Sequence, residues 1–174
     1  MKQLYAPWRE SYSASLAKTK SETALIHECV FCNNFNANTD EHHFIFKRFK
    51  HMTIMLNLFP YNAGHILILP ISHIAHLDEL CQAARYELIE LTTHATTIIK
   101  KVLNCDGVNV GLNLGKAAGA GIPSHLHMHV LPRFTGDTNF LPVLAETKQI
   151  SFDLHKIYQK LKPEFDHITF AHNL

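Results

Sequence analysis

His125-Leu126-His127-Met128-His129-Val130-Leu131 alternates imidazoles with apolar side chains over seven residues. Alternate residues of a strand share a face, so this spacing predicts a strand. Three histidines would line one surface, and Leu126, Met128 and Val130 would pack on the other. The chain has 14 histidines in 174 residues. At that frequency an i, i+2, i+4 triplet arises by chance about 0.09 times per chain. A merely solvated strand face would more commonly use Thr, Lys or Glu.

Working outward, Phe44 to Phe46, Thr53 to Leu58 and His65 to Leu69 read as three short strands. A basic turn, Lys47 to Lys50, joins the first two. Pro60 to Gly64 is a turn cluster before the third, and Pro70 ends that strand. Asn33 to Asp40 reads as a polar loop. Leu80, Ala84, Leu88, Leu91, Ala95, Ile98 and Val102 recur at helical spacing and predict one long helix from about Asp78 to Asn104. Asp78 and Glu79 suit its start, and Lys100 and Lys101 its end. Val108 to Leu112 is a fourth strand, and the histidine segment the fifth. A short final helix, Phe152 to Leu161, is expected to stop near Pro163. Strands cluster on both sides of one long helix. The fold class is α+β, with a mostly antiparallel sheet.

The expected organisation is an N-terminal arm over residues 1–26, one domain over 27–162 and a tail over 163–174. Hydrophobic residues make up 47% of the chain, enough for a core. Sixteen Lys and Arg nearly balance 15 Asp and Glu, for a net charge of +1. That leaves no basic field to hold nucleic acid by its phosphates. The longest apolar run, Ile66 to Ile71, is a strand's length and far short of a membrane span. Met1 to Glu10 has no apolar core of a secretory signal, so a cytoplasmic location is expected. Four cysteines there argue against a disulfide framework.

Gly107, Gly111, Gly115, Gly119 and Gly121 crowd the approach to the histidines. Small residues let backbone N–H groups close around an anion, although an ordinary flexible loop has the same composition. Beside three histidines, phosphoryl chemistry is the better match. A neutral imidazole Nε2 can attack phosphorus and split one displacement into two. Its Nδ1–H must be held by an acceptor. A neighbouring imidazole can serve the leaving group. His127 has an imidazole on each side and is the candidate nucleophile. Cys29-Val30-Phe31-Cys32 offers half a zinc site, a redox dithiol or two packed thiols. Cys81 and Cys105 are expected to be packing residues.

The triplet matches the pattern His-φ-His-φ-His-φ-φ, with φ apolar, of the histidine-triad family. Further matches are Leu4 to Arg9, Cys29 to Cys32, Asn57 to His65, Gly111 to Gly115 and Pro132 to Phe140. Together they cover roughly residues 4–160. The sequence is similar to a bacterial branch of diadenosine tetraphosphate phosphorylases and hydrolases. The resemblance implies a histidine-triad fold, a homodimer and cleavage of dinucleoside polyphosphates through a nucleotidyl-His127 intermediate. It implies that His129 touches the phosphates and assists the leaving group. Asn57 would contact the ribose, with His65 and Leu67 beside the base. Asn113 and the Gly119-Ala120-Gly121 backbone would contact phosphate. Phosphorylases of the branch carry a hydroxyl residue where Gly121 stands, so water becomes a competing acceptor here.

The resemblance also implies a structural zinc ion held by Cys29, Cys32, His73 and His125. His76, His27 and His42 are the alternative imidazoles. A nucleoside phosphoramidase using the same intermediate is the second enzymatic reading. A zinc-stabilised nucleotide-binding module with little turnover is the non-enzymatic one. Trp8 and Arg9 are expected to dock the arm on the body.

Overall fold

The computed structural model describes residues 29–37, 39–138 and 152–170. The N-terminal arm with Trp8 and Arg9, together with His27, lies outside them. Helix α1 spans Val30–Asn36. Strands β1 (Ile45–Arg48), β2 (Met52–Leu56) and β3 (Ile66–Pro70) follow. Then come helix α2 (Gln82–Leu103), β4 (Gly107–Leu112), β5 (Met128–Arg133) and helix α3 (Leu154–Asp166). The five strands form one sheet in the order β1-β2-β3-β5-β4. Every pairing is antiparallel. The α+β reading therefore holds.

Both faces of the central strands are covered, which is why β2 and β3 are buried along their whole length. Met52, Ile54, Leu56, Ile66, Ile68, Met128 and Val130 face α2 and α3. The predicted helical stripe packs there: Leu80 through Ile98 are buried, and Val102 packs at the margin. The alternate residues Met55, Leu67 and Leu69 face α1, through Phe31, Cys32 and Phe35. Period-2 alternation thus sends one set of side chains to the helices and the other to the functional face.

Glu87 is the charged residue buried beneath this layer, where it accepts from the His51 and Met52 backbone N–H groups at 3.0 and 2.9 Å. Those bonds fix the β1–β2 turn to α2. Gly64 closes the turn before β3 at φ +78°, which a side chain rarely adopts, and an added Cβ would lie 2.3 Å from Leu103 Cδ1.

Several local expectations are corrected. Asn33 to Asn36 is helical rather than loop, because Phe31 and Phe35 are buried against the sheet and Arg48 holds the Phe35 carbonyl at 2.8 Å. Burial outweighs the weak helix propensity of three asparagines. Lys47 and Arg48 belong to β1, not to a solvated turn; Lys47 Nζ binds the Asp166 and Ile168 carbonyls at the end of α3. Helix α3 runs through Pro163 to Asp166, past its expected stop. Phe165 and Ile168 are buried beyond the proline, and Phe46 stacks on Phe165 at 4.6 Å. That packing offsets the ~3 kcal/mol a mid-helix proline costs. Cys81 is exposed at the start of α2 rather than packed.

Candidate active site

The histidine segment is only half strand. Ladder pairing begins at Met128, opposite Ile68 on β3 and Leu112 on β4. His125, Leu126 and His127 precede β5, so the expected His125 to Leu131 strand is shorter at its start. The reason is that the end of β3 is engaged differently. His125 Nε2–H donates to the Pro70 carbonyl at 2.9 Å, and the Leu126 N–H bonds Ile74 at 2.6 Å.

That bond sets the His125 tautomer. With its proton on Nε2, Nδ1 carries the lone pair and faces the Cys29 and Cys32 sulfurs at 3.4 and 3.6 Å. His73 Nδ1 lies 3.3 Å from Cys32 Sγ. All four donor atoms fall within 4.8 Å of one another. A tetrahedral ion with sulfurs at ~2.3 Å and nitrogens at ~2.05 Å would set its sulfur–nitrogen edges near about 3.6 Å. The donor set fits such an ion. Cys29 caps the start of α1 in an extended conformation and Cys32 lies in its first turn, so the helix start brings the two sulfurs to one place. Burial pushes His125 down to about 4, so its ring is neutral and could offer Nδ1 to a metal ion. Burial and the adjacent Cys29 push the Cys32 thiol up to about 12. A metal ion bound at this cluster would stabilise both sulfurs as thiolates. His76, an alternative ligand at the sequence level, is exposed at the start of the Leu77–Glu79 turn and outside this cluster. His42 is likewise exposed and outside it.

His127 follows two residues on. Its Nδ1–H donates to the His125 carbonyl at 2.7 Å, leaving the Nε2 lone pair. Burial lowers its pKa, which keeps the ring neutral. Phe31 packs against it, ring centroids 5.5 Å apart. The His127 and His129 rings lie 4.9 Å apart.

The state of His129 is set by a chain of donors. The Tyr61 backbone N–H donates to His65 Nδ1 at 3.1 Å, and the Asn57 amide lies 3.2 Å from the same atom. The Phe59 N–H occupies Asn57 Oδ1 at 3.0 Å, which turns the Asn57 NH2 toward His65. His65 therefore carries its proton on Nε2, and Nε2–H donates to His129 Nδ1 at 2.9 Å. His129 in turn keeps its proton on Nε2; the Asn113 amide lies 3.5 Å away and meets that proton through its oxygen, the one end of the amide that accepts. Two neutral imidazoles result with opposite endowments. His127 offers a lone pair, and His129 a proton.

A pocket opens over this pair. Asn57, Leu67, Gly121, His127 and His129 line it, as the sequence led one to expect. Phe31, Phe59, Tyr61 and Ile122 complete its walls. Sequence reasoning missed these four. Phe31 was hidden inside the cysteine motif, and Tyr61 inside a segment read only as a turn. His65 is not a wall of the pocket; it is fully buried behind His129. Gly119 and Ala120 direct their N–H groups into their own loop, at 3.0 Å to Lys116 and 3.3 Å to Gly115. Gly121 is the residue of that loop on the pocket wall.

The HIT domain family model matches residues 38–136, more than half of the chain. The chain belongs to the histidine-triad (HIT) family. It is 33% identical over 150 residues to a protein of Mycobacterium tuberculosis named AP-4-A phosphorylase, covering 86% of this chain and 77% of that one. It is 30% identical over 93 residues to an asymmetrical bis(5'-nucleosyl)-tetraphosphatase of Schizosaccharomyces pombe, covering 53% of this chain and 50% of that protein. Among solved structures, a Zn-bound histidine triad family protein from Mycobacterium smegmatis aligns with a TM-score of 0.66. That match covers 80% of this chain and 94% of the other at 22% identity, and it establishes the fold. No helix among the described residues of this HIT protein is long and apolar enough to cross a membrane.

Proposed function

We propose that this HIT protein is an enzyme that cleaves the phosphoanhydride bonds of dinucleoside polyphosphates, with diadenosine tetraphosphate the leading substrate. The observation that carries the reading is the complementary pair in the pocket: His127 with a free-facing Nε2 lone pair, His129 with a proton on Nε2. His127 Nε2 attacks the α-phosphorus, and the bond to the bridging oxygen breaks. The His129 Nε2–H donates a hydrogen bond to that oxygen as negative charge builds on it, and ATP leaves as the anion. A nucleotidyl-His127 remains. In the second step the acceptor attacks phosphorus, the bond from phosphorus to His127 Nε2 breaks, the acceptor's proton passes to solvent, and His127 recovers its lone pair. In this reading Asn57 and Leu67 contact the nucleoside and Gly121 the phosphates; all three line the pocket.

Cys29, Cys32, His73 and His125 would hold zinc, a choice supported by two sulfur and two imidazole donors at tetrahedral spacing. Bound there, zinc would neutralise the thiolates and tie α1 to the catalytic segment. The reading also includes a homodimer. Strand β4 is one of the two edge strands and Val110 on it is 46% exposed, features that favour pairing with a second copy.

Gly121 offers no hydroxyl to hold inorganic phosphate. Hydrolysis is therefore expected to compete with phosphorolysis. Diadenosine tetraphosphate incubated with and without phosphate should show it. Water gives AMP plus ATP; phosphate gives ADP plus ATP. The expected result is AMP at a comparable or higher rate than ADP. Products that appear only with added phosphate, with ADP and no AMP, would refute the acceptor assignment. Turnover of neither would refute the substrate class.

A further inference from the structure

Outside the pocket, one polar knot is not used by the chemistry above. Asp137 accepts from Arg133 Nε at 2.7 Å and from its terminal nitrogen at 3.0 Å. It also accepts from the Phe134 N–H at 3.2 Å and the Thr138 hydroxyl at 3.3 Å. The remaining donor comes from far away in sequence. Asn62 Nδ2 donates to Asp137 Oδ2 at 2.7 Å, and also to the Pro132 carbonyl at 3.1 Å. Both hydrogens of that amide are thus spent on the exit of β5. Asn62 is buried, and Arg133 braces the knot to β4 through Asn109 at 2.8 Å. The Arg133 hydrogen bonds hold the Asp137 carboxyl well below the usual carboxylate range, so it is an anion at neutral pH.

Asn62 sits in the turn that serves His65. Its carbonyl accepts the His65 N–H at 3.2 Å, and the preceding residue contributes the Tyr61 N–H to His65 Nδ1. Asn57 is the other donor there, its NH2 held toward His65 by the Phe59 N–H on its oxygen. The Tyr61 N–H is a main-chain donor that no rotation can turn into an acceptor. Together they oblige His65 to keep its proton on Nε2, and so oblige His129 to keep its own. Strand β5 carries His129, and the same strand's exit carries the Asn62 anchor.

We infer that Asp137 is a positioning residue: through Asn62 it clips the Asn57–His65 turn to β5 and thereby fixes the tautomer of His129. The inference rests on the proposed role of His129 only for its consequence in turnover. The tautomer itself is independent of any substrate.

The test uses the full chain labelled with 15N-histidine. In the wild type, the imidazole 15N shifts should report His129 as a single Nε2–H tautomer. In Asn62→Ala and in the milder Asp137→Asn, the same signals should move toward a tautomer mixture. Outer-shell partners of this kind change activity 10–100-fold, so kcat should fall about 10-fold with KM within about twofold. The double variant Asn62→Asp/Asp137→Asn exchanges donor and acceptor. It should recover the His129 shifts and part of the lost kcat. Folded single variants whose His129 stays in the wild-type tautomer would overturn the inference. So would a double variant no better than its parents in the shifts. If the tautomer shifts while kcat holds, the clip stands and it is the hydrogen-bond-donor role of His129 that fails. If Asn62→Ala does not fold, Asp137→Asn decides, because it keeps an acceptor for the Asn62 amide.

Discussion

His127→Ala should lower turnover of diadenosine tetraphosphate by at least ~10³, about 4 kcal/mol of transition-state stabilisation, with nucleotide binding largely kept. The size of the effect follows from what is removed. The substitution takes away the one lone pair in the pocket whose tautomer is locked by a main-chain carbonyl. Neither His129, with its Nε2 protonated, nor His125, with Nε2 on Pro70, can replace it. The Asn57 and Leu67 walls stay in place, so KM should change far less than kcat. Brief incubation with labelled substrate, acid quench and mass measurement should show a nucleotidyl adduct on the wild type and none on the variant. Wild-type turnover in His127→Ala, or an adduct elsewhere, would remove His127 as the nucleophile.

Cys29→Ser should release the metal, destabilise the fold and reduce activity less than His127→Ala does. An ion held at ~1,000 times its Kd adds about 4 kcal/mol to folding stability. For a chain of this size that corresponds to a melting temperature lower by about 10 °C. The loss should be felt first in α1, because Phe31, Cys32 and Phe35 pack on the sheet face directly beside the Cys29, Cys32, His73 and His125 cluster. Hydrogen exchange should therefore accelerate across Val30–Asn36 before it does in α2. Activity should fall indirectly, through the His125 carbonyl that orients His127. Elemental analysis of protein purified without chelators should find about one zinc per chain. Its absence, or an unchanged melting temperature in Cys29→Ser, would overturn the site.

Much of the scaffold could be read from the chain because its signals are periodic. The α2 stripe repeats at 3.6 residues and packs where that period sends it. The strands were recognisable as short apolar runs bounded by turn residues. Elements that depend on partners were not. Helix α1 has seven residues and three asparagines, and only burial of its two phenylalanines makes it helical. Pro163 is a stop signal overruled by the packing of Phe165. The donor residues of the site were legible as residue types, and the metal cluster forms from the four that the family pattern indicated. The relay from Tyr61 through His65 to His129 was not. It depends on a main-chain N–H and on a contact between residues 64 positions apart. No local pattern encodes either.

The sheet order has a consequence for how this protein folds. Strands β1, β2 and β3 are a meander of neighbours, and α2 is local by nature. The reactive centre is the opposite. Cys29 meets His125 across 96 positions, and His125 meets Pro70 across 55. Loop closure of that span must be met before any contact rewards it. Insertion of β5 between β3 and β4 is thus the step that builds the ladder's centre, gathers Cys29, Cys32, His73 and His125, and sets His127 in place together. In refolding from denaturant, helical ellipticity should return early and catalytic competence late, as two separate curves.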